Sequence, residues 1–355
     1  MLLIDSLYIC NSGGLHLLEY LVDTLEKKRI CYYLLADSRC LGKFDKCINV
    51  EYMSASLWNR YRFYSNHKND FTSVLCFGNI PAPIKLNIPV YTYFHNINLL
   101  TLNEVTSFKQ KLFSWLKRSI FRFYKDNTNY WLVQTVNTEN ELVANLKERH
   151  SRVKQLPFYD LPQTLNSLSN LAHGDDYVYV SIYTPAKGHH ELLEAWKLLH
   201  INGFDKTLHL TIDNSSVEIC EKIKALQLEG VRIINHGQIP FKDVITLYQN
   251  SKALIYPSHN ESLGLGIVEA ITAGCDVIGA DLPYTKAICK PSCTFNPYSP
   301  DSIVSAVLDY ENNTRKKSQL LISNMINELI EVLSVNNKIY VNFQRQNLDD
   351  YRWYR

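Results

Sequence analysis

The sequence predicts an α/β protein of two similar domains, each a parallel sheet covered by helices. Short β-rich runs alternate with amphipathic stretches, the plan of the first half recurs in the second, and a proline-containing segment separates the halves. The expected strands of the first half are Leu2–Ile4, Ile30–Ala36, Ser73–Phe77, Val90–Phe94 and Tyr130–Gln134. Between the first two, Leu18, Leu21, Val22 and Leu25 share one helical face. Those of the second half are Tyr177–Ile182, Thr207–Ile212, Val231–Asn235, Ala253–Tyr256 and Asp276–Ala280. Gln155-Leu-Pro-Phe-Tyr-Asp-Leu-Pro162, with the Asn/Ser/Leu-rich sequence to His173, reads as a linker because its prolines interrupt any continuous element. The expected boundaries are 1–155 for the first domain, 156–173 for the linker and 174–325 for the second domain. Residues 326–355 form a C-terminal segment expected to pack back on the first domain. Two such domains facing each other would leave a cleft at the carboxyl ends of their strands, where open α/β sheets take ligands.

Composition narrows the function. A chain of 355 residues lets each half bury its own core, and 20% charged residues with a net charge of +2 call for no nucleic-acid partner. The nine cysteines are scattered without a C-x-x-C pair, and the closest, Cys289 and Cys293, lack zinc partners. They read as reduced thiols of a cytoplasmic protein. The first residues carry no basic n-region, and no stretch stays apolar for the roughly 20 residues that cross a bilayer, so a soluble or peripheral protein is expected. No D-x-D metal motif is present; Asp175-Asp176 and Asp349-Asp350 are merely adjacent pairs. One run, 108–125, is basic and aromatic without an acid. It reads either as a contact to an anionic membrane surface or as a core helix with a basic outer face.

The most informative stretch is Ala253-Leu-Ile-Tyr-Pro-Ser-His-Asn-Glu-Ser-Leu-Gly-Leu-Gly-Ile-Val-Glu-Ala-Ile-Thr-Ala-Gly274. It reads as a strand, a turn, and a helix that begins near Leu263–Gly266 and stops at Gly274. Free N–H groups at a helix start hold a diphosphate, and glycines allow close approach. Glu261 before the helix and Glu269 inside it could then accept hydrogen bonds from sugar and ribose hydroxyls. The residues alone leave a second reading open, in which Glu261 answers the helix dipole and Glu269 is solvated.

With its surroundings, this stretch resembles the E-x7-E signature of retaining glycosyltransferases of the GT-B fold, family four, whose members read approximately P-S-x-x-E-G-F-G-L-x-x-x-E-A. The continuation Cys275-Asp-Val-Ile-Gly-Ala-Asp-Leu-Pro-Tyr284 and the approach through His236-Gly-Gln-Ile-Pro240 and Leu247–Ala253 resemble the same family, from about Val178 to Pro297. Val180-Ser-Ile-Tyr-Thr-Pro-Ala-Lys-Gly-His-His-Glu-Leu-Leu-Glu-Ala195 resembles the family segment in which a lysine before a glycine contacts the donor diphosphate. Many relatives carry an arginine five residues before that lysine; here the place is held by Ile182. From the residues alone, Lys187-Gly188 could also start a surface helix whose core face is Leu192, Trp196 and Leu199.

The resemblance implies a GT-B fold of two Rossmann-like domains facing a central cleft, and a metal-independent transferase. Lys187 would stabilise the departing diphosphate, Glu261 would orient donor sugar hydroxyls, and His95, ending Val90-Tyr-Thr-Tyr-Phe-His-Asn96, would lie beside the sugar. Ser262, Leu263, Gly264, Leu265 and Glu269 would bind the donor, as would Gly13 and Gly14 in Asn11-Ser-Gly-Gly14, although that pair could also be a structural turn. The donor would be a UDP- or GDP-linked sugar, the acceptor a saccharide or lipid-linked saccharide of a bacterial surface polysaccharide or lipopolysaccharide, and no further cofactor is expected. Two other readings stand beside this one: a GT-B sugar-nucleotide epimerase, and a carbohydrate-binding or scaffold subunit without activity.

Overall fold

A computed structural model describes residues 1–10, 12–100, 118–161, 174–312 and 317–334. The chain divides into two compact units: Met1–Asp160 together with the chain from Asn324 onward, and Leu161–Ser323.

The first unit is built on seven parallel strands, β1 (Leu2–Asp5), β2 (Tyr32–Asp37), β3 (Val50–Met53), β4 (Ser73–Cys76), β5 (Val90–Phe94), β6 (Tyr130–Val133) and β7 (Val153–Gln155). Their order is β3-β2-β1-β4-β5-β6-β7, reversing direction between β1 and β4. Central strands of a doubly covered parallel sheet must be apolar on both faces, and β1, β4 and β5 are buried throughout. Helix α1 (Ser12–Lys27) buries Leu18, Leu21, Val22 and Leu25, the face expected from their spacing. Helices α2 (Leu57–His67), α3 (118–124) and α4 (Val136–Leu146) complete the described helices up to residue 161.

Two features of this unit differ from the sequence reading. The strands β3 and β7 were not expected; both lie at sheet edges and carry too few buried residues to stand out as apolar runs. The stretch read as linker begins inside the core: Leu156 donates its N–H to the Val133 carbonyl at 2.9 Å, and Phe158 and Tyr159 are buried. Proline breaks a helix but suits this extended edge, where the Pro157 carbonyl accepts from Met325 N–H at 2.7 Å. The rest of that linker, 162–173, lies outside the described residues. Past Met325, residues 326–334 are helical and bury Ile326, Leu329, Ile330 and Leu333 in the α1 core of this unit; the segment beyond 334 lies outside the described residues.

Of the basic run 108–125, residues 108–117 lie outside the described residues. In α3, Phe121 is buried against Phe94 and Trp131, while Arg122 and Phe123 are exposed.

A buried ion pair sits at the strand-order reversal of this unit. Asp5, the last residue of β1, receives Arg60 Nε at 2.7 Å and the Tyr64 hydroxyl at 2.8 Å. The other two guanidinium nitrogens of Arg60 donate to the Pro81 and Ile80 carbonyls, each at 2.8 Å, so α2 is tied to β1 and to the loop after β4.

The second unit has a six-stranded parallel sheet of β8 (Tyr177–Tyr179), β9 (Leu208–Leu210), β10 (Ile233–Asn235), β11 (Ala253–Tyr256), β12 (Asp276–Ala280) and β14 (Cys293–Phe295). The order is β10-β9-β8-β11-β12-β14, with the reversal between β8 and β11; β13 (Cys289–Lys290) pairs separately with β15 (Gln319–Leu320). Its helices are α5 (His189–Ile201), α6 (Val217–Leu228), α7 (Phe241–Gln249), α8 (Leu265–Thr272), α9 (Pro283–Ile288) and α10 (Pro300–Asn312). Leu192, Trp196 and Leu199 form the buried face of α5. No helix among the described residues is long and apolar enough to cross a membrane.

Candidate active site

Loops that leave neighbouring strands on opposite sides of a strand-order reversal open toward each other at the carboxyl edge of the sheet. In the second unit these are the loops after β8 and β11, one carrying Lys187 and the other Glu261. Their side chains meet, with Lys187 Nζ 2.5 Å from Glu261 Oε1. The backbones are joined as well: His259 N–H donates to the Ala186 carbonyl at 2.8 Å, and the Ser258 hydroxyl to the same oxygen at 3.3 Å. Gly188 is required at this junction, because its φ is +66° and a Cβ there would stand 2.4 Å from the Pro257 carbonyl oxygen.

Three tyrosines hold these loops from below. The Tyr179 hydroxyl donates to the Lys187 carbonyl at 2.8 Å, the Tyr284 hydroxyl to the Ser258 carbonyl at 2.5 Å, and the Tyr256 hydroxyl to Glu261 Oε1 at 2.9 Å. The rings of Tyr179 and Tyr284 each pack edge-on against Tyr256. Burial raises all three phenols well above the usual tyrosine range, so each remains a donor.

Glu261 is followed by Ser262, Leu263 and then Gly264, which caps α8 at φ +60°. A Cβ at Gly264 would come within 2.8 Å of Ile288 Cδ1. Leu263 is buried, Leu265 opens α8, and the helix closes before Gly274 as expected. Glu269 does not join the Lys187–Glu261 pair. It is 7% exposed within α8, beside Tyr248, and burial pushes its carboxyl up to about 7, partly offset by the Tyr248 hydroxyl. The reading of Glu269 as a solvated helix residue is therefore excluded. Ile182, at the place of the family arginine, is 58% exposed and brings no charge.

The first unit brings Gly14 and His95 together: a Cβ on Gly14 would lie 3.1 Å from His95 Cε1. Gly13, also in the first turn of α1, has open space at its Cβ position. His95 follows β5 and packs against Phe77 and Tyr93. Its backbone N–H donates to Asn79 Oδ1 at 2.8 Å, and its Nε2 lies 3.1 Å from the Phe77 carbonyl. The Asn79 amide Nδ2 lies 3.4 Å from the same nitrogen, so Nε2 donates to the carbonyl in one tautomer and accepts from the amide in the other. Burial lowers the imidazole to about 4, which makes His95 a neutral group at physiological pH. Asn79, buried with φ +69°, was not singled out from sequence.

No group of three or more His, Cys, Asp or Glu side chains among the described residues is placed to hold a metal ion. What the second unit presents is a lysine, a carboxylate and a glycine-capped helix start within two adjoining loops, a combination suited to an anionic leaving group bearing hydroxyls.

Residues 170–327 match the family described as Glycosyl transferases group 1. The chain is also similar to the serotype-specific mannosyltransferase WbdA of Escherichia coli, 27% identical over 176 residues that cover 46% of this chain and 21% of that protein. It therefore spans only a fraction of the length of the curated relatives it matches. Among solved structures it is similar to Anabaena Alr3699/HepE in complex with UDP-glucose, with a TM-score of 0.63 at 16% identity over 88% of this chain and 89% of that one. It is likewise similar to the lipopolysaccharide outer core galactosyltransferase WaaB, with a TM-score of 0.61 at 17% identity over 87% and 89% of the two chains. With the two parallel sheets described above, these likenesses make the fold GT-B, two Rossmann-like domains.

The buried Glu269 has a pH signature. Its carboxyl is raised from about 4.5 to about 7 in the folded chain, so the native state binds more protons than the unfolded chain between those values. Its ionisation therefore costs stability that is fully retained below about pH 4.5 and lost as pH rises to about 7, an effect on the order of 3 kcal/mol. Glu269→Gln should accordingly gain stability over wild type at pH 8 and little at pH 4.5, measured as the difference in urea midpoint. An equal difference at both pH values would show that Glu269 ionises freely.

Proposed function

We propose that this chain is a retaining, metal-independent glycosyltransferase that moves a sugar from a UDP- or GDP-linked donor to a saccharide or lipid-linked saccharide precursor of a surface polysaccharide or lipopolysaccharide. The observation that carries the reading is the meeting of Lys187 and Glu261 beside the glycine-capped start of α8. As the glycosidic bond breaks, the leaving nucleoside diphosphate gains negative charge, and a preorganised ammonium with helix N–H groups lowers that cost without a metal. Glu261 would orient the sugar hydroxyls, Glu269 the ribose, and neutral His95 would contact the sugar. Glu261, the carboxylate at the pair, is engaged by Lys187 and Tyr256, so the acceptor hydroxyl would attack from the leaving-group face and pass its proton to a diphosphate oxygen. The likeness to HepE in complex with UDP-glucose supports the donor class, and the likenesses to the mannosyltransferase WbdA and the lipopolysaccharide outer core galactosyltransferase WaaB support the acceptor class. A lipid-linked acceptor would bring this cytoplasmic enzyme to a membrane, with Arg118, Arg122 and exposed Phe123 of the run 108–125 as candidate contacts.

The test is transfer from a panel of nucleotide-sugars in excess chelator, with the product's anomeric proton read by NMR. The expected product is α-linked from an α-linked donor and forms without added metal. A β-linked product would overturn retention, a strict manganese requirement would overturn metal independence, and isomerised donor without transfer would favour the epimerase.

A further inference from the structure

The ion pair between Lys187 and Glu261 leaves the two residues proposed for donor binding engaged with each other. Glu261 Oε1 is also approached by a second donor, the hydroxyl of Tyr256 at 2.9 Å. The two donors differ in mobility. Lysine is a point charge on a flexible four-carbon stem, which can follow a stronger anion. The Tyr256 ring closes β11 at 4% exposure, edge-on to Tyr179 and Tyr284, and a Cβ on Gly266 of α8 would already stand 3.3 Å from its Cε2. It has nowhere to turn. A diphosphate at the start of α8 carries more charge than one carboxylate and would draw the ammonium away, but the phenol would stay.

We propose, resting on the donor reading above, that donor binding hands Glu261 from Lys187 to Tyr256: the diphosphate takes the ammonium, and Tyr256, a positioning residue, keeps Oε1 aimed while the carboxylate accepts sugar hydroxyls. The carboxylate thus becomes available only when a diphosphate is present. Sugar recognition is thereby coupled to the leaving group, and a sugar without its diphosphate meets a carboxylate already engaged. The phenol is suited to this because burial keeps its proton in place at any working pH.

The experiment uses the full chain, with nucleoside diphosphates titrated calorimetrically and steady-state kinetics run on the matching nucleotide-sugar, for wild type, Glu261→Gln and Tyr256→Phe. Glutamine removes the charge that competes for Lys187, so Glu261→Gln should bind the nucleoside diphosphate about three- to tenfold more tightly than wild type. Tyr256→Phe should bind it as wild type does, yet lose roughly tenfold in kcat/KM for the nucleotide-sugar, the scale of one hydrogen bond to a charged group. A merely structural tyrosine would weaken both. Unchanged or weaker nucleoside diphosphate binding by Glu261→Gln would overturn the hand-over, because Lys187 would then serve both anions at once. Equal losses in both measurements for Tyr256→Phe would remove its positioning role. If wild type bound none of the nucleoside diphosphates, the donor reading itself would fall and the hand-over with it.

Discussion

Replacing Lys187 with alanine should lower turnover of the proposed donor by about 10²- to 10³-fold, the scale of one preorganised contact to developing charge. The ammonium is held where the loops after β8 and β11 adjoin, with its backbone fixed by Tyr179 and by the Gly188 approach to Pro257. Ile182 offers no second charge at the place where many relatives carry an arginine, so the loss should not be shared. Because the charge develops in the transition state, kcat should fall more than KM rises. The fold should survive: the side chain is partly exposed, and Glu261 keeps its bond to Tyr256. Steady-state kinetics with a circular dichroism spectrum on the same sample would measure both. A folded, fully active variant would remove Lys187 from the site.

The largest effect on stability should come from Arg60→Met, at about 3–5 kcal/mol, the range for breaking a buried ion pair from one side. Methionine restores much of the volume but leaves the Asp5 carboxylate at 1% exposure without its cation, and leaves the Ile80 and Pro81 carbonyls without their donors. Removing Asp5 as well, as Asp5→Leu with Arg60→Met, should recover part of the loss, since no buried charge then remains. Denaturant unfolding of the three proteins gives the comparison. A single variant within 1 kcal/mol of wild type would mean that the pair contributes little to the stability of the native chain.

The legible part of this fold was its covered interior. Leu2–Ile4, Val90–Phe94 and Ala253–Tyr256 are apolar because both faces of a parallel strand are buried, and the face of α1 shows because helix spacing repeats it. Edge strands escape that logic: Val153-Lys-Gln155 has one buried residue, and nothing in three residues distinguishes it from a loop. At Leu156–Tyr159 a proline marks a break in any helix, yet the apolar side chains on both sides of it are core.

The motif residues were visible as separate loops, and their roles came from family resemblance. Contact between Lys187 and Glu261, 74 positions apart, is a product of strand order, which one sequence does not display. Tyr256 was hidden for a different reason. It closes an apolar strand and counts there as a hydrophobic residue, while the role proposed for it rests on a single hydroxyl at the ring's far end.

The claim that the second unit holds a nucleotide-sugar through Lys187 is tested most directly by calorimetric titration of a panel of nucleotide-sugars into wild type and Lys187→Ala. The account predicts that at least one UDP- or GDP-linked sugar binds wild type without added metal and binds the variant about tenfold or more weakly, the scale of one charge-assisted hydrogen bond. Failure of every nucleotide-sugar to bind wild type, or equal binding by the two proteins, would contradict it.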